Sequence, residues 1–600
     1  MSTAIGIDLG TSRTMAAVME EGRPRMLTDG VRGVPSVVAV DSEGKTLVGE
    51  AALAQEARDP KSAIRASKRL LGQSIKGPSA DLFTYEISTG PDAALLVHLK
   101  DKILTLEQVS ASILSHITEL ATHEMGHPPS GVVVTVPAYF NERQRQAVRQ
   151  AAEIAQLKVI GLLNEPTAAA LAHGLGRELN QRVLVFDLGG GTFDLSVIDI
   201  QGSIYEVIAT GGDTALGGVD FDDRVLEHLL HHLETLHGPD APHDLEVSRI
   251  LRELAERAKI ALSSVEETRI FQEDLGASRV SLDLQLNRKE LEALTEDLVQ
   301  RTLEVTTHVL KQANVPLDSF DELLLVGGQS RMPRIREEVR ALLGMPVSSR
   351  ADPDGAVATG AAVLAWSLSQ ESPGSPDVTE ILPLSVGVGL PGGRMQPLFE
   401  RGLQLPAEAS VTLTTHSDNQ TSIRLTLYQG QNEFVRNNAF IGHFSFGGLP
   451  AQAAGSVLLD LTLHLDASGL LSITAIDRNN GQQVACEVQL HETAEKPTEP
   501  APPTEAPAPP AEPEPPVIEA YVPPEDEDPS DAPDPPGMQM QPEEPESTTA
   551  PPGLEDLEHP PPPPSTEGEN QVLPGAAVPY SRLQGLLDRL TGWLRSLFGG

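Results

Sequence analysis

The feature that most constrains this chain is an internal repeat of a glycine-rich turn preceded by an aspartate. The first copy, AIGIDLGTSRTMAAV, begins at residue 4, and the second, VLVFDLGGGTFDLSVI, begins at residue 183. Each copy has a strand-like apolar run, then Asp-Leu-Gly and a turn that contains threonine, then a second strand-like run. Two related α/β halves that each carry such a hairpin predict a ligand cleft between them.

The glycines of these turns need a chemical reason, because glycine weakens a strand and packs nothing. A turn without Cβ atoms lets backbone N–H groups approach a polyphosphate closely. Asp8, Asp187 and Asp194 would repel phosphate directly, so they indicate a hydrated Mg²⁺ between themselves and the phosphates. The repeat therefore predicts a Mg-nucleotide gripped from two sides. The predicted cradle residues are Gly10, Thr11, Ser12, Arg13, Gly189, Gly190, Gly191 and Thr192.

The ordered part of the chain is predicted to have two domains. Residues 1–370 alternate strand-like and helix-like runs, which indicates an α/β fold. A linker at 371–382 leads into a period-two pattern over 383–490, which predicts an antiparallel β-sandwich.

The remainder of the chain has a different composition. Residues 491–578 are predicted to be a disordered acidic, proline-rich tail, since the stretch 492–570 holds 21 Asp+Glu, one Lys and 25 of the 49 prolines. Apolar residues at helical spacing in SRLQGLLDRLTGWLRSLFGG predict an amphipathic helix over 579–600. Its apolar face would suit a membrane surface, a partner groove, a second copy of the chain or the β-sandwich itself.

The overall charge and the single cysteine narrow the function classes. A formal net charge of −41 argues against a general nucleic-acid binder, which needs a basic face. Because Cys486 is the single cysteine of the sequence, disulfide bonds within the chain are excluded. Because the chain begins in a strand pattern without a signal-peptide pattern, we expect a cytoplasmic protein.

Several stretches together resemble the heat shock protein 70 family of DnaK-like chaperones, within the actin-like ATPase fold. The resemblance covers about residues 1–490. The stretches that carry it are GIDLGT (6–11), KRLLG (68–72), VTVPAYFNERQRQA (134–147), LNEPTAAALAHGL (163–175), DLGGGTFDLSV (187–197), ERAKIALSS (256–264), LLLVGGQSRMP (323–333), GAAV (360–363), DNQ (418–420) and YQGQN (428–432).

The resemblance implies an ATPase and assigns roles to individual residues. Lys68 would face the γ-phosphate and orient the attacking water, and Glu165 would order water near the metal. Thr192 would contact the γ-phosphate, while Asp8 and Asp187 would hold Mg²⁺ through water. Two further residues, Pro137 and Arg145, would couple the nucleotide state to the neighbouring domain.

The residues that would bind the adenosine part of the nucleotide are predicted from spacing and resemblance together. Glu256, Lys259 and Ser263 share one face of an apparent helix and could hydrogen-bond ribose and base. The resemblance adds Gly327 and Gly328 against the purine, Arg331 stacked on it, and Asp354 nearby. The expected cofactors are ATP or ADP with Mg²⁺.

The resemblance also implies binding of extended apolar peptides from unfolded proteins, with a J-domain co-chaperone and a nucleotide exchange factor as further partners. The implied peptide-binding positions are Val388, Leu413, His416, Ile423 and Leu425.

The chain departs from the family in four places. The linker lacks a clean run of leucines, and no helical lid follows the β-sandwich pattern. Pro391 and His416 stand at the two positions that would form an arch over the peptide. Gly161 stands where the resemblance predicts an arginine that contacts a J-domain. These departures leave an alternative function, a nucleotide-switched adaptor that recruits one partner through its tail and terminal helix. Peptide-stimulated ATP turnover would distinguish the two.

The stretch HEMGH at 123–127 has the residue pattern of a zinc-protease motif, but it lacks the helix that the motif requires. That motif needs both histidines on one intact helix, whereas Gly126 and Pro128 predict that the helix ends between them.

Overall fold

The N-terminal part of the chain forms a lobe around a mixed sheet. The computed structural model describes residues 3–28, 33–73, 85–90, 95–238, 244–345, 347–348, 353–370 and 375–490. The predicted tail over 491–578 and terminal helix over 579–600 lie outside these residues. The elements of the first lobe are β1 (Ile5–Leu9), β2 (Arg13–Glu20), β3 (Arg23–Met26), β4 (Val34–Pro35), β5 (Val38–Val40), β6 (Thr46–Val48), α1 (Glu50–Glu56), β7 (Ala63–Ile64), β8 (Glu86–Thr89), β9 (Leu95–Leu99), β10 (Lys102–Thr105), α2 (Leu106–Met125), β11 (Val132–Val136), α3 (Glu142–Ile154) and β12 (Val159–Asn164).

The main sheet of this lobe has the order β12-β11-β1-β2-β3, with β4 paired to β2. Its β1–β2 hairpin is antiparallel, and β11 lies parallel to β1. Helix α2 begins with a capping box between Thr105 and Gln108 and ends at Gly126, whose φ is 76°. The predicted helix end inside HEMGH is thus confirmed, and the two histidines do not share a helix.

The second lobe repeats the hairpin and adds helices. Its elements are α4 (Glu165–Gly174), β13 (Asn180–Leu188), β14 (Phe193–Gln201), β15 (Ile204–Asp213), α5 (Gly218–His237), α6 (Leu245–Leu262), β16 (Glu267–Leu275), β17 (Val280–Asn287), α7 (Arg288–Leu294), α8 (Glu296–Ala313), β18 (Glu322–Val326), α9 (Pro333–Leu343), α10 (Ala356–Gln370) and β19 (Asp377–Thr379). The central sheet has the order β18-β13-β14-β15-β19, with β13–β14 as the second antiparallel hairpin.

Small residues join the two lobes through α4 and α10. A Cβ on Gly360 would lie 1.7 Å from the Ala168 carbonyl oxygen, and one on Gly6 would lie 2.1 Å from the Ala362 nitrogen. Such separations are far below van der Waals contact, so these backbones approach each other as only glycine permits. The two lobes otherwise have separate hydrophobic cores.

Residues 380–490 form a β-sandwich of two antiparallel sheets. Its strands are β20 (Val386–Gly389), β21 (Met395–Phe399), β22 (Ala407–Thr414), β23 (Ile423–Gln429), β24 (Ala439–Phe446), β25 (Leu458–Leu465), β26 (Leu471–Asp477) and β27 (Cys486–Gln489). The two sheets have the orders β21-β20-β23-β24-β27 and β22-β25-β26. Alternating leucines of β25 fill the space between them. In the described residues no helix is both long and apolar enough to cross a membrane.

The segment before the sandwich joins the second lobe. Strand β19 pairs in parallel with β15, so that Val378 lies opposite Tyr205. Ile381 packs into the apolar cluster between the lobes, and Leu382 packs into the core of the sandwich. This segment therefore contacts both folded parts although it lacks the leucine run that the resemblance leads us to expect.

Candidate functional site

The two glycine turns face each other directly. A Cβ built on Gly190 would lie 2.2 Å from Ser12 Oγ, and one on Gly191 would lie 2.6 Å from Thr11 Cγ2. Gly10 belongs to the first turn, where a Cβ would lie 2.1 Å from the Arg13 carbonyl oxygen. The structure thus brings the predicted cradle residues of both lobes together. Arg13 points to the edge of this group and donates to the Gly33 carbonyl at 3.2 Å.

Buried charges lie between these turns. The Lys68 ammonium donates to Glu165 Oε1, and only 4% of Lys68 is exposed. Asp8 accepts from Thr135 Oγ1 at 3.4 Å, and Asp194 accepts from the Tyr139 amide at 3.1 Å. We call Asp8, Lys68, Glu165, Asp187 and Asp194 the cleft cluster; it combines four carboxyl groups with one ammonium group.

Burial, together with this imbalance of charge, raises the pKa of three carboxyl groups. Burial, and then the charge of Glu165, raises the pKa of Asp8 to about 7 and that of Asp194 to about 7. The same two causes, with Asp194 and Asp8 adding to them, raise the pKa of Asp187 well above its usual range. Carboxylates in excess of their protein cations are stabilised by a bound cation.

The donor set fits magnesium. Mg²⁺ prefers carboxylate oxygens, needs few protein ligands and keeps several waters. Among the described residues no three Cys, His, Asp or Glu side chains converge closely enough to ligate a metal directly. A hydrated ion held through water by Asp8 and Asp187 suits the cleft cluster.

The second lobe closes over its own turn at the start of α5. The Gly218 amide donates to the Gly189 carbonyl at 2.9 Å, and Lys259 donates to the Gly218 carbonyl at 2.8 Å. Lys259 also pairs with Asp222 at 2.9 Å. The structure therefore places Lys259 beside the turn. Glu256 lies one turn earlier on α6, and Ser263 caps the end of this helix.

The predicted purine residues lie after β18. Gly327 has φ 81°, and a Cβ there would lie 2.3 Å from the Leu188 carbonyl oxygen, directly against the second turn. Apart from its two chain neighbours, no atom of the described residues lies within 4 Å of the corresponding point on Gly328. Arg331 Nη2 is 2.5 Å from Asp354 Oδ2, so these two predicted residues form an ion pair. The open face at Gly328 leaves room for a flat ligand.

Arg145 lies where the β-sandwich meets the first lobe. Its guanidinium donates to Asn164 Oδ1 at 2.8 Å, to the Ala138 carbonyl at 3.0 Å and to the Ser468 carbonyl at 3.3 Å. Pro137 lies in the preceding turn, where its carbonyl accepts from the Phe140 amide at 3.2 Å. Arg145 thus links α3 to a turn of the sandwich.

Residues that the sequence interpretation did not single out complete this contact. The Glu142 amide donates to Gln429 Oε1 at 2.8 Å, Asn164 Nδ2 donates to Glu380 Oε2 at 2.7 Å, and Ser468 Oγ accepts from the Leu162 amide at 3.2 Å. Burial raises the pKa of Glu142 to about 7 and raises that of Glu380. We call Glu142, Arg145, Asn164, Glu380 and Gln429 the junction cluster. YQGQN contains Gln429 and was a usable signal, whereas nothing local in the sequence marks Glu380 or Ser468.

The predicted peptide-binding positions occupy the sandwich. Ile423 and Leu425 lie in its core and are 7% and 3% exposed. Val388 and Leu413 are half-buried against the same core, while His416 is exposed and its amide donates to Gln420 Oε1 at 2.9 Å. The four aliphatic side chains share one core, with little free surface on Ile423 and Leu425.

Comparisons with known proteins agree with this architecture. A family model described as Hsp70 protein matches residues 4–510. The chain is 38% identical over 500 residues to "Chaperone protein DnaK 1" of Synechococcus sp., covering 82% of this chain and 66% of that protein. It is 37% identical over 492 residues to "Chaperone protein dnaK" of Cyanidioschyzon merolae, covering 80% of this chain and 81% of that protein.

The chain thus spans slightly less than two thirds of the Synechococcus relative and more of the algal one. The family match runs through both lobes and the sandwich, so an actin-like ATPase fold followed by a β-sandwich is the architecture of the described residues. On these grounds the chain belongs to the Hsp70 family.

Proposed function

We propose that this protein is an ATP-dependent molecular chaperone that hydrolyses ATP and binds extended apolar segments of unfolded proteins. The observation that carries the proposal is the cleft cluster, in which one buried ammonium group and four carboxyl groups lie between two facing glycine turns. Phosphoryl transfer to water needs positioned charge rather than covalent chemistry, and this arrangement supplies it.

Each residue of the nucleotide site has a separate role in ATP hydrolysis. Lys68 orients the attacking water and offsets negative charge in the transition state, and the Glu165 carboxylate keeps the Lys68 ammonium in place. Thr192 contacts the γ-phosphate. Asp8 and Asp187 hold a hydrated Mg²⁺, which neutralises phosphate charge when bound.

The junction cluster supports coupling to peptide binding. Arg145 contacts the sandwich directly, and Asn164 of this cluster precedes Glu165 of the cleft cluster in sequence. A change at the nucleotide would therefore reach the sandwich through adjacent residues. Because Ile423 and Leu425 are buried, peptide binding requires the sandwich to open around them.

The proposed binding partners are those implied by membership of the Hsp70 family. Unfolded polypeptides, a J-domain co-chaperone and a nucleotide exchange factor are proposed for this chain, although Gly161 removes an arginine at the J-domain contact. The comparisons give no support to the adaptor alternative.

The test is ATP turnover by the full chain with Mg²⁺, with and without an apolar heptapeptide. An acidic peptide of equal length serves as the control. We expect Mg²⁺-dependent turnover that the apolar peptide raises several-fold and the acidic peptide leaves unchanged. Turnover that no peptide alters would reject peptide coupling, and the absence of nucleotide binding would reject the proposal entirely.

A further inference from the structure

The first glycine turn is held in place by a single serine of the first lobe. Ser36 Oγ donates to the Gly10 carbonyl at 2.8 Å, and the Ser36 amide donates to the Ser12 carbonyl at 2.9 Å. Thr14 Oγ1 lies 2.9 Å from Ser36 Oγ, and it is the Thr14 hydroxyl that donates, because the hydroxyl hydrogen of Ser36 is already used. Ser36 is 4% exposed and Thr14 is fully buried. One buried residue therefore fixes two carbonyl groups of the turn.

The backbone around Ser36 explains why both of its donors point at the turn. The preceding strand β4 pairs with β2, so that Pro35 lies opposite Arg13. Proline has no N–H to donate, and the Val37 amide donates back to the Pro35 carbonyl at 2.8 Å. A bond between residues two apart closes a γ-turn, which here is centred on Ser36. Val37 is buried in the apolar core directly after this turn and so anchors it.

The hold on the Gly10 carbonyl also sets the direction of the next amide. In a planar trans peptide unit the N–H points away from the C=O of the same unit. The Thr11 amide shares its peptide unit with the Gly10 carbonyl and therefore points away from Ser36. Among the residues that the structure describes, none accepts a hydrogen bond from the Thr11 amide, although Thr11 is only 6% exposed. Buried amides normally have an acceptor, so this one indicates a ligand that accepts from it.

The second glycine turn is held in the same sense by a different part of the chain. Its carbonyls at Gly189 and Gly190 accept from the amides of Gly218 and Val219 at 2.9 and 2.8 Å. These donors are backbone groups at the start of α5, which a side-chain substitution does not remove. In the first turn, by contrast, the Gly10 carbonyl depends on one side-chain hydroxyl. This asymmetry allows the first turn to be tested alone, by a substitution at that serine.

We propose that Ser36 is a positioning residue for the nucleotide: its hydroxyl turns the Gly10 carbonyl away from the phosphates and so aims the Thr11 amide at a phosphate oxygen. The inference rests on the proposed function because the phosphate belongs to the same nucleotide. Ser36 does not touch the nucleotide in this assignment, since both of its donors are used by the turn. Without the hydroxyl the Gly10 carbonyl has lost its donor, and the peptide unit can rotate and present a carbonyl oxygen to the phosphate.

The test measures binding of ADP with Mg²⁺ to the full chain by calorimetric titration, and binding of adenosine by competition with a fluorescent ADP analogue. We expect Ser36→Ala to bind ADP about tenfold more weakly, in the range for a buried acceptor that loses its donor. Adenosine carries no phosphate and should bind Ser36→Ala and the wild type equally. ADP binding by Ser36→Ala within twofold of the wild type would overturn the inference, as would an equal loss for adenosine.

Two matched controls separate positioning from a general loss of stability. Val37→Ala leaves a cavity one residue further along the same segment, where Val37 is 4% exposed. Ser196→Ala removes a similarly buried hydroxyl, which lies 2.9 Å from Thr210 Oγ1 in the second lobe. All three variants should unfold at a lower temperature than the wild type, but only Ser36→Ala should lose affinity for ADP. A loss in Val37→Ala as large as that in Ser36→Ala would reduce Ser36 to a structural role.

Amide hydrogen exchange of the nucleotide-free chain reports on the turn without a ligand. The amide at position 36 donates to the Ser12 carbonyl. In Ser36→Ala it should exchange faster, after correction for intrinsic rates, because the turn is then held at one point instead of two. Equal rates in the two proteins would show that the hydroxyl does not hold the turn. A wild type that binds no ADP would instead reject the proposed function, and with it the phosphate role of Ser36.

Discussion

The cleft cluster and the junction cluster are both built from buried carboxyl groups around one buried cation, yet they are completed differently. In the junction cluster Arg145 is surrounded by carbonyl and amide oxygens, and Glu380 accepts from Asn164, so protein groups meet most of the hydrogen-bonding demand. In the cleft cluster the single ammonium group, that of Lys68, pairs with Glu165, and the cluster holds no second ammonium group for its three buried aspartates. A cluster whose polar groups are satisfied by other protein groups can hold two domains together. A cluster with surplus negative charge instead suits a bound cation and the ligand of that cation.

The two clusters are also close enough to affect each other. Burial lowers the pKa of Arg145, and the charges of Glu380 and then Asp194 act against that fall. Asp194 belongs to the cleft cluster, so a change in its charge state alters the field at the junction. The difference between the clusters therefore predicts that mutations in the cleft will change chemistry, while mutations in the junction will change docking.

The largest expected effect is in the cleft cluster. Lys68→Ala removes its only ammonium group, and we expect ATP turnover to fall about 100-fold or more, in the range seen when a preorganised charge is lost. Lys102→Ala, which removes a lysine that donates to Thr46 Oγ1 at 3.3 Å in the first lobe, should leave turnover unchanged. Steady-state phosphate release measures both. Equal turnover in Lys68→Ala and the wild type would show that the cluster does not catalyse.

The next effect tests the facing turns. Gly191→Ala would place a Cβ 2.6 Å from Thr11 Cγ2 and 2.7 Å from Thr11 Oγ1. Both branches of Thr11 occupy that space, so the turns must move apart and we expect ADP to bind about 10- to 100-fold more weakly. In Gly189→Ala the nearest atom is the Thr192 carbonyl oxygen at 3.7 Å, an ordinary contact. Calorimetric titration should therefore show a much smaller loss in Gly189→Ala. Equal losses would mean that the distance between the turns does not control affinity.

A smaller effect, in the junction cluster, depends on pH. The pKa of Glu142 is raised by burial to about 7 from an ordinary value of 4.5. Between these two values the docked state binds more protons than the undocked state, so docking weakens as pH rises through this window and levels off above about 7. At about 1.4 kcal/mol per pKa unit the whole window corresponds to about 3–4 kcal/mol, of which about 2–3 kcal/mol falls between pH 5 and 8.

The measurement for Glu142 is hydrogen exchange of the segment 466–471 between pH 5 and 8, corrected for intrinsic exchange rates. Glu142→Gln stays neutral and should lose most of the pH dependence of docking. Glu153→Gln, on the exposed side of the same helix, should behave as the wild type. If Glu142→Gln kept the full pH dependence, another group would be responsible for it.

The smallest effect concerns Ser468. Its hydroxyl accepts from the Leu162 amide at 3.2 Å and is 3.4 Å from the Leu162 carbonyl oxygen. Ser468→Ala should weaken docking by about 1 kcal/mol, the usual net value of a hydrogen bond. Ser472→Ala, at an exposed position of β26, should change nothing. Exchange of the same segment, compared at one pH, measures both; an unchanged rate in Ser468→Ala would show that the hydroxyl does not contribute.

Much of the fold could be predicted because its signals are local. The Asp-Leu-Gly hairpins, the capped helices and the period-two strands each depend on neighbours within a few residues. The turns that contain Gly190 and Thr11 could be predicted in the same way, since a glycine turn is visible in the sequence. The contact of Lys259 with Asp222 could not, because these residues meet only after folding. Arg331 and Asp354 were both predicted at the purine, but their ion pair with each other was not.

The sequence alone determined that two related α/β halves each carry a glycine turn and that a β-sandwich follows them. It did so because backbone conformation and apolar periodicity are short-range properties of a chain. Only the tertiary structure decided that Ser36 reaches the carbonyl groups of the first glycine turn and that Glu142, Gln429, Glu380 and Ser468 meet at one junction. These contacts join residues far apart in the chain, and the burial that shifts the pKa of Glu142 exists only once two folded surfaces exclude water from it.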